Sequence, residues 1–403
     1  MFEFNAVSKR YRDGTVAVKD LNLTIPSHKI TVMVGPSGCG KTTTLRLVNR
    51  MLEPSSGTIV WDGVSLQTRR KTQLRRQMGY VIQSGGLFPH RTVLDNVMTV
   101  PKLVGWSSSK ARGRAIELLG EVGLDRKLAN RYPAQLSGGQ QQRVGVARAL
   151  AADPMVLLMD EPFSAIDPVI RNDLHALLLR LQTELEKTVI MITHDIDEAV
   201  KLGDQVVIMR IGGEIAQAGT PAQLLNAPAD DFVDGFIGRD RGYRSLSFTP
   251  AANLTITKVR AVRDPGLARP SEPTLVLGSA AEPVGWADPQ SGRTLPLGSA
   301  FDPRTDTLRA ALDSALSSPF GLAVAIDRDT GRYAGVASTE QITAMVRDER
   351  LDFARTYDPD TVEPVGEEPR SKPEPAVEES AAELFDQEQS TPQYEEPHAD
   401  GRR

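Results

Sequence analysis

The stretch Gly35-Pro36-Ser37-Gly38-Cys39-Gly40-Lys41-Thr42 follows directly on the apolar run Ile30–Val34, so a buried strand here must end in a tight glycine-rich turn. The spacing is that of a phosphate cradle, G-x-x-x-x-G-K-[ST]. Glycines allow the backbone to fold around an anion with its N–H groups pointing inward. Lys41 is placed to reach the β- and γ-phosphates, and the Thr42 hydroxyl is placed to ligate Mg²⁺. A helix over residues 42 to 52 then presents the positive end of its dipole to the anion. A glycine-rich turn without a ligand is the alternative if this segment is taken alone.

A second segment argues against that alternative. Val156-Leu157-Leu158-Met159-Asp160-Glu161 is an apolar run ending in two carboxylates, as expected of a buried parallel strand that delivers acids to its C-terminal edge. Asp160 suits a magnesium ion held through water. Glu161, one residue on, suits the orientation or deprotonation of a water that attacks the γ-phosphate. A third segment, Leu136-Ser137-Gly138-Gly139-Gln140-Gln141-Gln142-Arg143, predicts a second anion-binding helix end. Ser137 is a good N-cap, two glycines expose backbone N–H groups, and Asp153-Pro154 stops the helix. One chain cannot easily bring two such ends to one γ-phosphate. The economical arrangement is a head-to-tail pair, with ATP between the cradle of one copy and Ser137 of the other.

At this point the chain resembles the ATP-binding cassette (ABC) family, whose signature is the Leu136-Ser137-Gly138-Gly139-Gln140 run. The resemblance implies an α/β fold: a P-loop ATPase with a parallel sheet core, an antiparallel β layer and a helical arm. It implies ATP and Mg²⁺ as cofactors. ATP would be bound by Tyr11, stacked on adenine, by residues Gly35, Pro36, Ser37, Gly38, Cys39, Gly40, Lys41, Thr42 and Thr43, and, from the opposite copy, by Ser137, Gly138, Gly139, Gln140 and Asp167. Thr42, Gln83 and Asp160 would serve the magnesium. Glu161, His194, Gln83 and Lys41 would be the catalytic set, with Gln83 sensing metal and water, His194 contacting the γ-phosphate, and Ser164-Ala165-Ile166-Asp167 crossing the dimer seam.

Composition sets the surroundings of this unit. A chain of 403 residues with 40% hydrophobic content supports two or three domains. No run approaches the ~20 apolar residues of a membrane span, and the start Met1-Phe2-Glu3-Phe4-Asn5 lacks the regions of a secretion signal. These features predict a protein kept in the cytoplasm. The one cysteine, Cys39, precludes an internal disulfide, and an alkylating reagent there should block nucleotide binding. The net charge of −5 conceals an acidic end: from Leu351 onward there are five Lys and Arg against 15 Asp and Glu. That segment, rich in Glu, Pro and Ser, reads as a disordered tail over 351–403. Scattered basic residues elsewhere give no case for nucleic acid.

The domain reading assigns 1–240 to the ATPase, with its helical arm at about 87–148. Thr220-Pro221 is expected to open its final helix. In Gly85-Gly86-Leu87-Phe88-Pro89-His90 the Leu and Phe would be unusual in a solvated loop and suit a groove for a helix of a membrane partner, with burial inside the helical arm as the alternative. Residues 241–350 form a small α+β region whose helix-strand-strand-helix order at about 303–347 resembles a cystathionine-β-synthase-type (CBS) module. A degenerate first copy would include residues 274–277 and 283–286.

Within the ABC family, residues 1 to 242 resemble the importer subunits for glycine betaine, carnitine, choline, proline and related osmoprotectants. The resemblance is carried by Leu45-Arg46-Leu47-Val48-Asn49-Arg50, Gly86-Leu87-Phe88-Pro89-His90 and Thr193-His194-Asp195-Ile196-Asp197-Glu198-Ala199, among others. It implies membrane permease subunits, an extracytoplasmic solute-binding protein, a homodimer of ATPase subunits, and a peripheral place on the cytoplasmic face of the membrane. An importer subunit for a sugar or amino acid, and a soluble cassette ATPase, are the competing readings. Against the sugar type, the C-terminal region has helical patterns where strands alone would be expected. Against the soluble type, neither a second cassette nor a long coiled-coil insertion is visible.

Overall fold

The computed structural model describes residues 1–82, 86–164, 166–238, 240–269 and 272–357. Its centre is a six-stranded sheet in the order Glu214–Gly219, Gln205–Arg210, Ile30–Val34, Thr188–Ile192, Val156–Asp160, Met78–Val81. All neighbours are parallel except the first pair, an antiparallel hairpin turning at Gly212 and Gly213, both with positive φ. Parallel strands need both faces covered, which is why these strands read as continuous apolar runs. Alternate residues serve opposite cores. Ile30, Val32 and Val34 face helices, with Leu157, Met159 and Met191, while Met33 faces the other side with Leu158, Ile190 and Ile192.

The second face is covered by helix Lys41–Val48 and by a four-stranded antiparallel sheet in the order Val16–Ile25, Phe2–Arg10, Ser56–Trp61, Val64–Ser65. Phe2 and Trp61 stack there at 5.2 Å between ring centroids, and both are buried. The first face carries helices Val93–Leu103, Ser108–Glu121 and Gly138–Leu150, the arm expected from the sequence, together with Pro168–Leu185. Helix Pro221–Asn226 does start as expected, with a Thr220–Gln223 capping box and Pro at its first position. It is not the last of the unit: Asp231–Ile237 and Arg241–Ser245 follow, only seven and five residues long and so too short to announce themselves by periodicity, although Val233 and Ile237 do pack one turn apart on the core. No helix among the described residues is long and apolar enough to cross a membrane.

Beyond these helices lie two further sheets. One has the order Arg260–Val262, Thr274–Leu277, Pro283–Ala287, Thr294–Pro296; the other Ala300–Phe301, Leu322–Ile326, Tyr333–Ser338. The second is flanked by helices Leu308–Ser317 and Thr339–Thr356. Residues 274–277 and 283–286 therefore do pair as antiparallel strands, but no α-helix accompanies them among the described residues from 254 to 307. The expected disordered start at Leu351 is corrected: that residue lies inside the final helix, which runs to Thr356, opened by a Ser338–Gln341 capping box and closed with Phe353 stacked on Tyr357 at 5.0 Å. The remainder of the acidic segment lies outside the described residues.

Trp286 joins the two small sheets. It is fully buried, packs with Leu275, Val324 and Val336, and donates its indole N–H to the Leu297 carbonyl at 3.3 Å. Trp286→Ala should therefore destabilise the C-terminal region by about 3–5 kcal/mol. Urea unfolding followed by a probe placed in that region checks this, and a loss below about 1 kcal/mol would contradict it.

Candidate functional site

Strand register brings the candidate residues to one edge. Ile192 lies opposite Met33 on one side and opposite Asp160 on the other. The three chains then leave the sheet at the same level as the Gly35 turn, the Thr193-His194 turn and Glu161. The Glu161 amide still donates to the Ile192 carbonyl at 3.0 Å, and the Thr193 amide to the Met33 carbonyl at 3.1 Å.

The glycine-rich turn closes around a lysine. Lys41 is 6% exposed, and its ammonium donates to the carbonyls of Gly35 at 2.6 Å and Pro36 at 3.0 Å. Gly40 makes the close approach possible: its φ is 99°, and a Cβ there would lie 2.1 Å from the Ala17 carbonyl oxygen. Ser37 and Gly38 stay exposed at the mouth. Cys39 is fully buried behind the turn with its sulfur 3.6 Å from the Lys41 ammonium. An alkylating reagent must therefore open the turn before reaching it.

Asp160 is the electrostatic centre of the edge. The Thr42 hydroxyl donates to one of its oxygens at 3.3 Å and the Tyr80 hydroxyl to the other at 3.4 Å. Burial raises its pKa above the ordinary aspartate value, outweighing those hydrogen bonds and the charge of Arg46. Tyr80 is pushed up to about 12, first by burial and then by the Asp160 charge. Next to it, Glu161 has a φ of 45°, a left-handed conformation that costs a residue with a Cβ of order 1 kcal/mol. Its carboxylate lies 3.2 Å from Nδ1 of His194, which is otherwise largely exposed.

The remaining candidates are distributed around this edge. Tyr11 sits just past the first strand, 36% exposed, with its hydroxyl 3.2 Å from that of Thr43. Ser137 and Gly138 face solvent at the start of helix Gly138–Leu150. Ser137 accepts from the Gln140 amide at 3.3 Å, and Gln140 accepts in return from the Ser137 amide at 3.0 Å. Every hydrogen bond recorded for Ser137 stays within its own helix end, so it is not joined to the cradle of the same chain. Gly139 is pinned: a Cβ would meet Ile170 at 2.7 Å. Asp167 is exposed where helix Pro168–Leu185 begins. Gln83 and Ala165 lie outside the described residues. Leu87 packs on the core, whereas Phe88 is 39% exposed with Arg91 over its ring. Sequence reasoning gave no role to Tyr80, Arg46 or the group of part-buried Arg171 with buried His175 and Glu198, because the contacts of each are made with residues distant in the chain.

Residues 18–164 match the family model described as ABC transporter. The chain is 48% identical over 262 residues to the glycine betaine uptake system ATP-binding protein YehX of Escherichia coli, covering 65% of this chain and 84% of that protein. The chain belongs to the ABC transporter ATP-binding family. It is also 49% identical to the choline transport ATP-binding protein OpuBA of Bacillus subtilis, over 61% of this chain and 65% of that one. With the osmoprotectant import ATP-binding protein OsmV of Salmonella typhimurium it shares 47% identity, over 64% and 66%. The matches to these last two relatives thus span just under two thirds of their length. Among solved structures, the dimeric, post-hydrolysis ATP-binding cassette MJ0796 bound to ADP and Pi is 33% identical, with a TM-score of 0.51, over 55% of this chain and 99% of that one. The ABC ATPase fold, a mixed α/β cassette, is therefore the fold of the matched part of this chain.

The burial of Asp160 has a consequence for stability. Its raised folded-state pKa means the group favours the folded chain most below the ordinary aspartate pKa and costs stability once pH rises through the folded value. Asp160→Asn should therefore raise the melting temperature at pH 7 in metal-free buffer, and the gain should shrink as pH falls toward 4. Calorimetry of both proteins across that range checks this. A variant that melts at or below the wild-type temperature at pH 7 would contradict it.

Proposed function

We propose that this chain is the ATP-hydrolysing subunit of an importer for osmoprotectants of the quaternary-amine kind, such as glycine betaine, carnitine or choline. The observation that carries the ATPase part is the contact of Glu161 with His194 at the strand edge that also holds Lys41, Thr42 and Asp160. The names of relatives at 47 to 49% identity support the solute class.

In this reading the cradle of residues 35–43 binds the triphosphate, Tyr11 stacks on adenine, and Lys41 exchanges its carbonyl partners for phosphate oxygens. Thr42 and Asp160 fit a magnesium ion. Their oxygens face each other, and no group of three His, Cys, Asp or Glu able to hold a metal by itself exists among the described residues. That is the donor set expected of a metal held jointly by one hydroxyl, one carboxylate and substrate phosphates. When bound, the ion neutralises charge developing on the phosphates. Gln83 is assigned to the same metal and water. Glu161 holds and deprotonates the attacking water, and His194 orients the γ-phosphate while contacting Glu161.

A second copy completes the site. Ser137, Gly138, Gly139, Gln140 and Asp167 face solvent or support those that do, which suits donation to a neighbour's nucleotide. ATP closes the pair, the closure pulls permease helices seated near Phe88, and hydrolysis reopens it. The chain then works peripherally at the cytoplasmic face, beside permease subunits and a separate solute-binding protein. The region from 241 to 357, with its CBS-like helix-strand-strand-helix order, serves regulation or dimerisation.

Glu161→Gln should slow hydrolysis by about 10²- to 10⁴-fold while Mg-ATP binding stays near the wild-type level. Steady-state phosphate release and equilibrium nucleotide binding measure the two. Wild-type turnover in the variant would remove Glu161 from its role.

A further inference from the structure

Glu198 is a carboxylate buried behind the hydrolytic edge, and each of its oxygens has a different task. The Thr193 hydroxyl donates to Oε2 at 2.7 Å, and Thr193 in turn accepts from the Asp195 amide at 3.1 Å. One carboxylate oxygen thus gathers the turn whose middle residue is His194. Its other oxygen, Oε1, lies 3.7 Å from both Arg171 and His175. These two are four residues apart on one face of helix Pro168–Leu185.

Arg171 and His175 lead to the other turn. Arg171 donates to the Ile166 carbonyl at 3.1 Å and lies 3.6 Å from the Asp195 carboxylate. His175 stands edge-on against the buried ring of Phe163, with centroids 4.7 Å apart. Phe163 and Ile166 belong to the stretch that leaves Glu161 and leads to Asp167. The two turns therefore touch at Glu161 and His194 in front and are joined again through Glu198 behind.

We infer that Glu198, with Arg171 and His175, is a positioning residue for the hydrolytic step: it fixes the His194 turn against the stretch that carries Glu161 and Asp167. Packing alone gives no reason for a charge here, since an apolar side chain of the same size fills such a space at lower cost. Burial works against ionisation of Glu198, yet His175, the Thr193 hydroxyl and Arg171 together hold its pKa below the usual glutamate value. An ionised group in a fixed cage resists displacement in a way that a methyl group does not. This inference rests on the ATPase reading given above.

The test uses the full chain and steady-state Mg-ATP hydrolysis, with nucleotide binding measured separately. Glu198→Gln keeps the shape and an acceptor for Thr193 but removes the charge facing Arg171. It should lower kcat about 10- to 100-fold, as expected of a small misplacement of a reacting group, with KM changed by less than about threefold. His194→Ala should mask that loss, so that the double variant is no slower than His194→Ala alone. Wild-type kcat in Glu198→Gln, or losses that multiply in the double variant, would overturn the inference. Arg171→Lys repeats the comparison from the other side of the cage and decides the matter if Glu198→Gln fails to fold. If wild-type chain hydrolyses no Mg-ATP, the ATPase reading itself falls and this inference falls with it; wild-type hydrolysis with unaffected variants removes this inference alone.

Discussion

The alignment of Met33, Ile192 and Asp160 in one row across three neighbouring parallel strands is the constraint on which the site depends. Because every side chain in those strands alternates between two cores, a slip of one residue would turn the whole set to the wrong face. The cost of such a slip is set by the burial of Val32, Met33, Leu158, Ile190 and Ile192, all essentially inaccessible. Tight packing far from solvent therefore holds the polar groups at the edge in register. Lys41, Asp160, Glu161 and His194 are thereby brought to one edge by strand register.

What that edge does chemically follows from how poorly it is solvated. Lys41 has its charge spread over two carbonyls, and Asp160 shares two hydroxyls, yet burial still pushes the Asp160 carboxyl toward its neutral form. The folded chain pays for keeping an anion there, and a cation is the natural relief. Glu161 adds a strained backbone at φ 45°. Strain and desolvation gathered at one sheet edge are the marks of a site shaped for a ligand rather than for stability. The signature helix end is different in kind: Ser137 is exposed and its hydrogen bonds are made within its own capping box.

Much of this was legible in the sequence wherever chemistry is local. The cradle, the apolar strand ending in Asp160 and Glu161, and the Ser137 cap each occupy one short run, so spacing alone identified them. Strand Phe2–Arg10 was harder to read, because a bulge between Phe4 and Val7 breaks the alternation that would have announced it. The left-handed Glu161 carried no glycine or asparagine as a signal. Tyr80 reaches Asp160 only because their strands are paired, and Glu198 meets Arg171 and His175 across elements separated by more than 20 residues. The last helix outran its expected end because charged residues such as Arg350 and Asp352 suit an exposed helix as well as a disordered tail.

The central claim is that two copies of this chain share each nucleotide, cradle to signature. The direct measurement is disulfide formation between a Ser37→Cys chain and a Ser137→Cys chain, each carrying Cys39→Ser and Glu161→Gln, mixed under mild oxidation. The account predicts an interchain cross-link that appears with Mg-ATP and is absent without nucleotide. No cross-link in the presence of bound Mg-ATP, or one that forms equally without it, would contradict the account.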